Sequence, residues 1–198
     1  MKTSHSKPNF SVSFDAKHYL NAGIIRNSVL ADEFNLHNID FSTDQYDSDD
    51  NALYLLADGQ CVGCCRVISR KECGRLPVED YIELSDSFGL ATRQRLNATC
   101  EFSRLAILPQ YQGARGASLL IEAVAHYSLT RGLTNLIYCS NAKKMPVFGA
   151  IARRKDLHVQ LDSQEFEYAG IEHEKFQAAL VRLDLNADGE HHSIAKTG

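Results

Sequence analysis

The 198-residue sequence has no long apolar run. Its longest, such as Leu53-Tyr54-Leu55-Leu56-Ala57, are far too short to cross a bilayer, which takes about 20 residues. No apolar stretch follows the charge of Met1-Lys2-Thr3-Ser4-His5, so a secretory signal is not expected. The chain also lacks an excess of basic charge. It carries 21 Lys+Arg against 25 Asp+Glu, for a formal −4, which argues against general nucleic-acid binding. Neither repeats nor low-complexity linkers are present, and the length suits one domain. Cys61-Val62-Gly63-Cys64-Cys65 contains a C-x-x-C, yet no second pair follows at zinc-site spacing and no βαβ opening precedes it. We therefore expect no metal, and read these cysteines as small buried residues on a strand. Cys73, Cys100 and Cys139 complete the set, as free thiols in a reducing cytoplasm.

What is present is unevenly spread. The hydrophobic fraction of 44% is that of a folded globular protein. Residues 1–90 carry 8 basic and 14 acidic groups, residues 91–156 carry 10 and 3, and residues 157–198 carry 3 and 8. A basic middle third in an acidic chain permits one local site for something anionic.

Residues 1–9 are expected to be disordered, 10–185 to form the domain, and 186–198 to be a polar tail. Phe10, Val12 and Phe14 alternate as in a short strand. From Asp15 to Phe34, Leu20, Ile24, Ile25, Val29, Leu30 and Phe34 recur at mostly helical spacing. Two strands, 51–57 and 60–68, flank Asp58-Gly59, a dipeptide suited to a two-residue hairpin turn. Residues 69–97 read as a long excursion with short helical hints. A central strand follows over 99–108, then a helix over 116–131 that stops at Gly132. A strand over 135–140, a helix over 143–155 and strands over 157–161 and 176–185 complete an α/β pattern with a β-α-β crossover. The strand order is left open.

Four clusters carry chemistry. Glu101 lies in the apolar strand Glu101-Phe102-Ser103-Arg104, where a carboxylate is costly to bury unless paired or neutralised. It is either a general base or half of an ion pair with Arg104. The segment Asp44-Gln45-Tyr46-Asp47, followed by Asp49 and Asp50, lacks the glycine of a calcium loop, and a solvated acidic loop is its default. Arg26 and Arg66 are either exposed charges or, for Arg66 beside Cys64-Cys65, partly buried with a carboxylate partner. Finally, Pro109 to Ala117 is a glycine-rich turn opening a helix, suited to an anion.

Together these stretches resemble the GNAT superfamily of acyltransferases, and within it the acyl-homoserine-lactone synthases. An early Arg with aromatics, a D-x-x-D segment, a G-x-x-R strand and an E-x-S-R strand are matched in order. Here they are Arg26 and Phe34, Asp44 to Asp47, Gly63 to Arg66, and Glu101 to Arg104. Leu76-Pro77-Val78-Glu79 and Tyr168-Ala169-Gly170 are similar to segments of long-chain N-acyl amino acid synthases, in particular the N-acyl-tyrosine-forming branch known from environmental DNA.

The resemblance implies a single-domain α/β fold with a GNAT-like central mixed sheet flanked by helices. It implies transfer of a fatty acyl group from a thioester to the amine of a free amino acid, tyrosine first among them. Glu101 is then the base, while Arg26, Phe34, Asp44, Asp47, Arg66, Ser103 and Arg104 serve substrate binding. At the D-x-x-D segment, Arg26 and Arg66 are the implied partners. Acetyl-CoA users of this superfamily carry Gln/Arg-x-x-Gly-x-Gly/Ala around the CoA pyrophosphate. Aligning Gln112 to Ala117 with it puts Arg115 where the central glycine belongs, and a side chain there obstructs close approach of backbone to phosphate. The expected donor is therefore an acyl carrier protein, an acidic partner that brings its own phosphopantetheine, with no separate cofactor. Arg93, Arg95, Arg115, Lys143, Lys144, Arg153 and Arg154 are candidates for docking it. Phe34, Phe41, Phe88, Phe102 and Phe148 are candidates to line an acyl tunnel. Cys100 or Cys139 as an acyl-enzyme nucleophile is a weaker reading, because neither has a sequence-evident His partner. Two further alternatives are an acyl-homoserine-lactone synthase using S-adenosylmethionine and a silent carrier-binding module.

Overall fold

A computed structural model describes residues 8–168, 171 and 173–183. Residues 1–7 and 184–198, which hold most of the two expected tails and the end of the last expected strand, lie outside them. The strands are β1 (Phe10–Ser13), β2 (Ala52–Ala57), β3 (Gln60–Ser69), β4 (Thr99–Ile107), β5 (Asn135–Asn141), β6 (His158–Phe166) and β7 (Phe176–Arg182). The helices are α1 (Tyr19–Phe34), α2 (Arg70–Cys73), α3 (Leu84–Phe88), α4 (Arg93–Asn97), α5 (Ala114–Thr130) and α6 (Met145–Arg153). The strands form one sheet in the order β1-β2-β3-β4-β5-β7-β6, so the open question of strand order is answered by a mixed sheet. Every element expected from the sequence is present, and the excursion over 69–97 holds three short helices. No helix among the described residues is long and apolar enough to cross a membrane.

The chain divides into two compact units: Met1–Cys65 with Arg104–Leu120, and Arg66–Ser103 with Ile121–Gly198. In the first, Asp58 and Gly59 have φ of 49° and 83°, the paired positive values of a tight hairpin turn. β1 runs antiparallel to β2, with Phe10 opposite Ala57 and Ser13 opposite Tyr54. Asp15 starts the α1 region by accepting from the Lys17 N–H at 3.0 Å. The helix ends where Asn35 turns left-handed. Ala22, Ile25 and Val29 pack with Tyr54, Cys64 and Ala106 into this unit's core. Leu20 and Ile24, expected on the apolar face, lie one turn apart on the solvent side, 78% and 68% exposed. The core-facing stripe is set instead by Ile25, Val29 and Phe34, together with the charged Arg26.

In the second unit, β4 and β5 run parallel from Thr99–Asn135 to Phe102–Tyr138. β5 continues against β7 as far as Asn141–Phe176. β6 pairs antiparallel with β7 and carries an irregularity between Leu161 and Glu165. Leu76 and Val78 anchor the excursion by complete burial.

Candidate active site

The site residues fall into a cluster in each unit. The first is built on α1 and the acidic segment. Arg26 is buried, with its side chain 8% exposed, and its guanidinium meets Asp47 in a two-pronged pair, Nη1–Oδ1 2.9 Å and Nη2–Oδ2 2.8 Å. It also donates to the Ser42 carbonyl. Burial opposes the charge of Arg26, but its bonds to Asp47 outweigh this and raise its pKa. Asp47 also closes its own segment, because its Oδ2 accepts from the Asp44 N–H at 2.7 Å. Asp44 in turn accepts from the Tyr46 N–H and pairs with Arg104 Nη2 at 2.8 Å.

The D-x-x-D segment is thus a double bracket, with one carboxylate reaching α1 and the other reaching β4. This corrects the expectation of a solvated acidic loop for Asp44 and Asp47, while Asp49 and Asp50 remain exposed. The Asp47 side chain is buried and that of Asp44 half-buried, and each has an arginine partner. Arg104 therefore serves Asp44 and lies 6.0 Å from the Phe41 ring centroid. Phe41 and Phe34 pack 6.2 Å apart.

Gly63, first residue of the G-x-x-R motif, has a packing role. A Cβ there would lie 2.8 Å from the Ala106 carbonyl oxygen and 3.2 Å from the Ile107 Cα. Gly116 is similar, since a Cβ would sit 2.9 Å from Leu55 Cδ2. Arg115 is exposed beside it, its guanidinium 5.8 Å from the Phe10 ring centroid.

The second cluster surrounds Glu101. Its side chain is buried, the residue being 1% exposed, and its Oε2 accepts from the Val78 N–H at 2.8 Å. That N–H is held in place by its neighbours in sequence. Glu79 bonds Arg70 Nε through both oxygens, at 2.9 and 3.1 Å, and accepts from the Leu76 N–H at 2.7 Å. Two residues along β4, on the same face as Glu101, Ser103 Oγ accepts from Nε and Nη2 of Arg66, both at 3.3 Å. Arg66 is 2% exposed. Arg26, linked to the D-x-x-D segment by resemblance, pairs directly with Asp47. Arg66 holds Ser103.

β4 is distorted at the next position. Arg104 has φ of 56°, a left-handed value for a long side chain in a strand, and the register with β5 runs only to Phe102–Tyr138. The E-x-S-R strand is therefore kinked at Arg104.

The aromatic residues fall into groups. Phe102, Tyr138 and Phe148 stack, with Tyr138 and Phe148 centroids 3.9 Å apart and Phe102 5.0 Å from Tyr138. Phe102 and Phe148 are expected from the sequence, whereas Tyr138 is not, its one signal being its place in a short buried strand. Phe88 is buried on α3. The docking candidates are all exposed: Arg93 and Arg95 on α4, Arg115 on α5, Lys143 and Lys144 before α6, and Arg153 and Arg154 at its end. Arg95 also donates to the Gly89 carbonyl, and Lys143 lies 3.8 Å from Glu174.

The six cysteines are free. Cys64 and Cys65 are buried on β3, as expected. Burial pushes the thiols of Cys64 and Cys100 up to about 12 and that of Cys139 well above its ordinary value. Cys100 meets Ser128 Oγ at 3.5 Å and donates to the Asn135 carbonyl. Thiols held protonated in this way are poor nucleophiles. Among the described residues, no group of three His, Cys, Asp or Glu side chains is arranged to hold a metal.

Residues 25–122 match the family described as acetyltransferase (GNAT) domain. A search of curated protein sequences finds no significant match. Among solved structures, FeeM, an N-acyl amino acid synthase from uncultured soil microbes, is 16% identical with a TM-score of 0.66, covering 89% of this chain and 92% of that one. The acyl-homoserine-lactone synthase LasI is 17% identical with a TM-score of 0.62, covering 93% and 94%. BjaI with MTA, a CoA-dependent acyl-homoserine lactone synthase, is 17% identical with a TM-score of 0.57, covering 89% and 84%. These likenesses are of fold: one α/β domain with a seven-stranded mixed sheet and flanking helices, as the sequence implied.

Proposed function

The chain carries a GNAT acetyltransferase domain, and on that premise we propose that it is an N-acyltransferase acting on an amino acid. It moves a long-chain fatty acyl group from an acyl carrier protein thioester to the amino group, with tyrosine as the principal acceptor. The observation that carries this reading is Glu101, a carboxylate buried in β4 and fixed by the Val78 N–H. FeeM, an N-acyl amino acid synthase of like fold, supports the acceptor class.

A free amino acid is mostly an ammonium ion at neutral pH, and its nitrogen must lose a proton before attack. Glu101 takes that proton, directly or through one water. The nitrogen lone pair then adds to the thioester carbonyl, and the carbon–sulfur bond breaks. The nitrogen loses its second proton, and the sulfur departs as the free thiol of phosphopantetheine. Main-chain N–H groups at the Arg104 kink are the donors proposed for the intermediate oxyanion. Arg26, Phe34, Asp44, Asp47 and Arg104 in one unit, and Arg66 and Ser103 in the other, are the residues the resemblance assigns to substrate binding. Much of the acceleration then comes from holding both reactants in line.

Arg115, aligned with the central glycine of the CoA motif, supports a carrier protein as donor over CoA, because a side chain at that position obstructs close approach of backbone to a pyrophosphate. The acidic carrier meets Arg93, Arg95, Arg115, Lys143, Lys144, Arg153 and Arg154. The second reading, an acyl-homoserine-lactone synthase using S-adenosylmethionine, draws on LasI and BjaI. The test offers matched acyl-carrier-protein and acyl-CoA donors with all twenty amino acids and with S-adenosylmethionine. N-acyl-tyrosine formed faster from the carrier protein supports the proposal. Release of methylthioadenosine supports the second reading, and a faster CoA ester refutes the role of Arg115.

A further inference from the structure

The second unit holds a buried carboxylate that the proposed reaction does not use. Asp162 is 5% exposed and sits in the irregular stretch of β6 between Leu161 and Glu165. Its Oδ1 accepts from the Gln164 N–H at 3.1 Å, and its carbonyl accepts from Gln177 Nε2 at 2.6 Å. Its Oδ2 is buried with no hydrogen-bond partner among the described residues. Such an oxygen is costly unless a ligand or water meets it, so it signals a missing donor.

Beside this strand lies a group of rings. The Tyr81 centroid is 4.4 Å from Tyr168 and 5.4 Å from Phe166, and Phe176 closes the group 4.7 Å from Tyr168. Tyr81, Phe166 and Tyr168 are half-buried, and Phe176 is buried. Phe176 precedes Gln177, which ties this group to the Asp162 main chain. Burial first, and then the negative charges of Glu101 and Asp162, raise the pKa of the Cys139 thiol, which a bond from Tyr168 opposes.

A carboxylate oxygen lacking a donor asks for a cationic one. Partly exposed aromatic rings offer a wall for a flat apolar group and also attract cations. We propose that Asp162 and the rings of Tyr81, Phe166 and Tyr168 form the binding site for an aromatic primary amine, with Asp162 taking its ammonium and the rings its aromatic side chain. The inference rests on the acyltransferase reading above and assigns the acceptor class to residues of this chain. Asp162 is a specificity residue here and takes no proton.

The test is equilibrium binding of tyramine and p-cresol, which share a phenol ring and differ by the ammonium. Wild type should bind tyramine at least about tenfold more tightly than p-cresol. Asp162→Asn, which keeps size and shape, should abolish that preference and leave p-cresol unchanged, while Tyr81→Leu should weaken both ligands. Equal affinity of the wild type for the two ligands overturns the proposal, even where Asp162→Asn fails to fold. So does an Asp162→Asn protein that binds tyramine within twofold of wild type. If the wild type acylates no amine yet shows the tyramine preference, the acyltransferase reading fails and the site stands. If it acylates tyrosine and Asp162→Asn leaves the tyrosine KM unchanged, the site fails and the reading stands.

Discussion

The main-chain N–H of Val78 donates to Oε2 of Glu101 at 2.8 Å, so a residue of the excursion fixes the proposed base in the central strand. Val78 is itself held by the Arg70–Glu79 pair on either side of it. Glu79→Ala removes that pair and the bond to the Leu76 N–H. Stability should fall by about 1–3 kcal/mol in urea titration, and acyl transfer should fall about tenfold as the Glu101 carboxylate loosens.

Arg26 and Asp47 should behave as one unit. Breaking a buried pair by removing one partner costs about 3–5 kcal/mol, because the other charge stays behind unpaired. Arg26→Met and Asp47→Leu should each show a loss of this size. The double variant should lose much less than the sum, with a coupling above about 1 kcal/mol in a denaturation cycle.

Gly63→Ala tests whether the G-x-x-R glycine serves packing. Its Cβ would press on main-chain atoms of Ala106 and Ile107, which cannot swing aside as a side-chain tip would. Overpacking of this kind costs about 1–3 kcal/mol, readable as a lowered melting temperature.

Much of the framework is legible in the sequence because its causes are local. Asp58-Gly59 specifies its own turn, and the parallel β4–β5 pair follows from a strand–helix–strand order. The partner choices are tertiary and were not legible. Nothing in the string says that Asp44 takes Arg104, that Arg66 takes Ser103, or that an amide two elements away holds Glu101. Leu20 and Ile24 show the limit of periodicity, since an apolar residue on a helix can still face water when charge occupies the buried stripe. Asp162 gives no sign of its burial in the sequence for a related reason, because a single carboxylate among polar neighbours reads as solvated.

The thiols should set an alkaline limit on stability. Cys64 and Cys100 have thiols raised to about 12 in the folded state, while an unfolded thiol ionises near 9. Between these values the unfolded chain binds fewer protons than the native one, so stability falls as pH rises. The contribution is complete below pH 9 and declines above it, by at most about 1.4 kcal/mol per pH unit for each thiol. Urea midpoints measured from pH 7 to 10.5 should be flat to about 9 and then drop. At pH 8 a thiol reagent should label the exposed Cys73 ahead of Cys64, Cys65 and Cys100, which should stay untouched until unfolding.

The most direct measurement is N-acyl-tyrosine formation from acyl carrier protein by the wild type and by Glu101→Gln, followed by mass spectrometry. A glutamine side-chain oxygen can still accept from Val78 but cannot take the ammonium proton, which separates position from proton transfer. The account predicts product from the wild type and a loss of about 100-fold or more in the variant, with the same melting curve. A Glu101→Gln enzyme as fast as the wild type would contradict it.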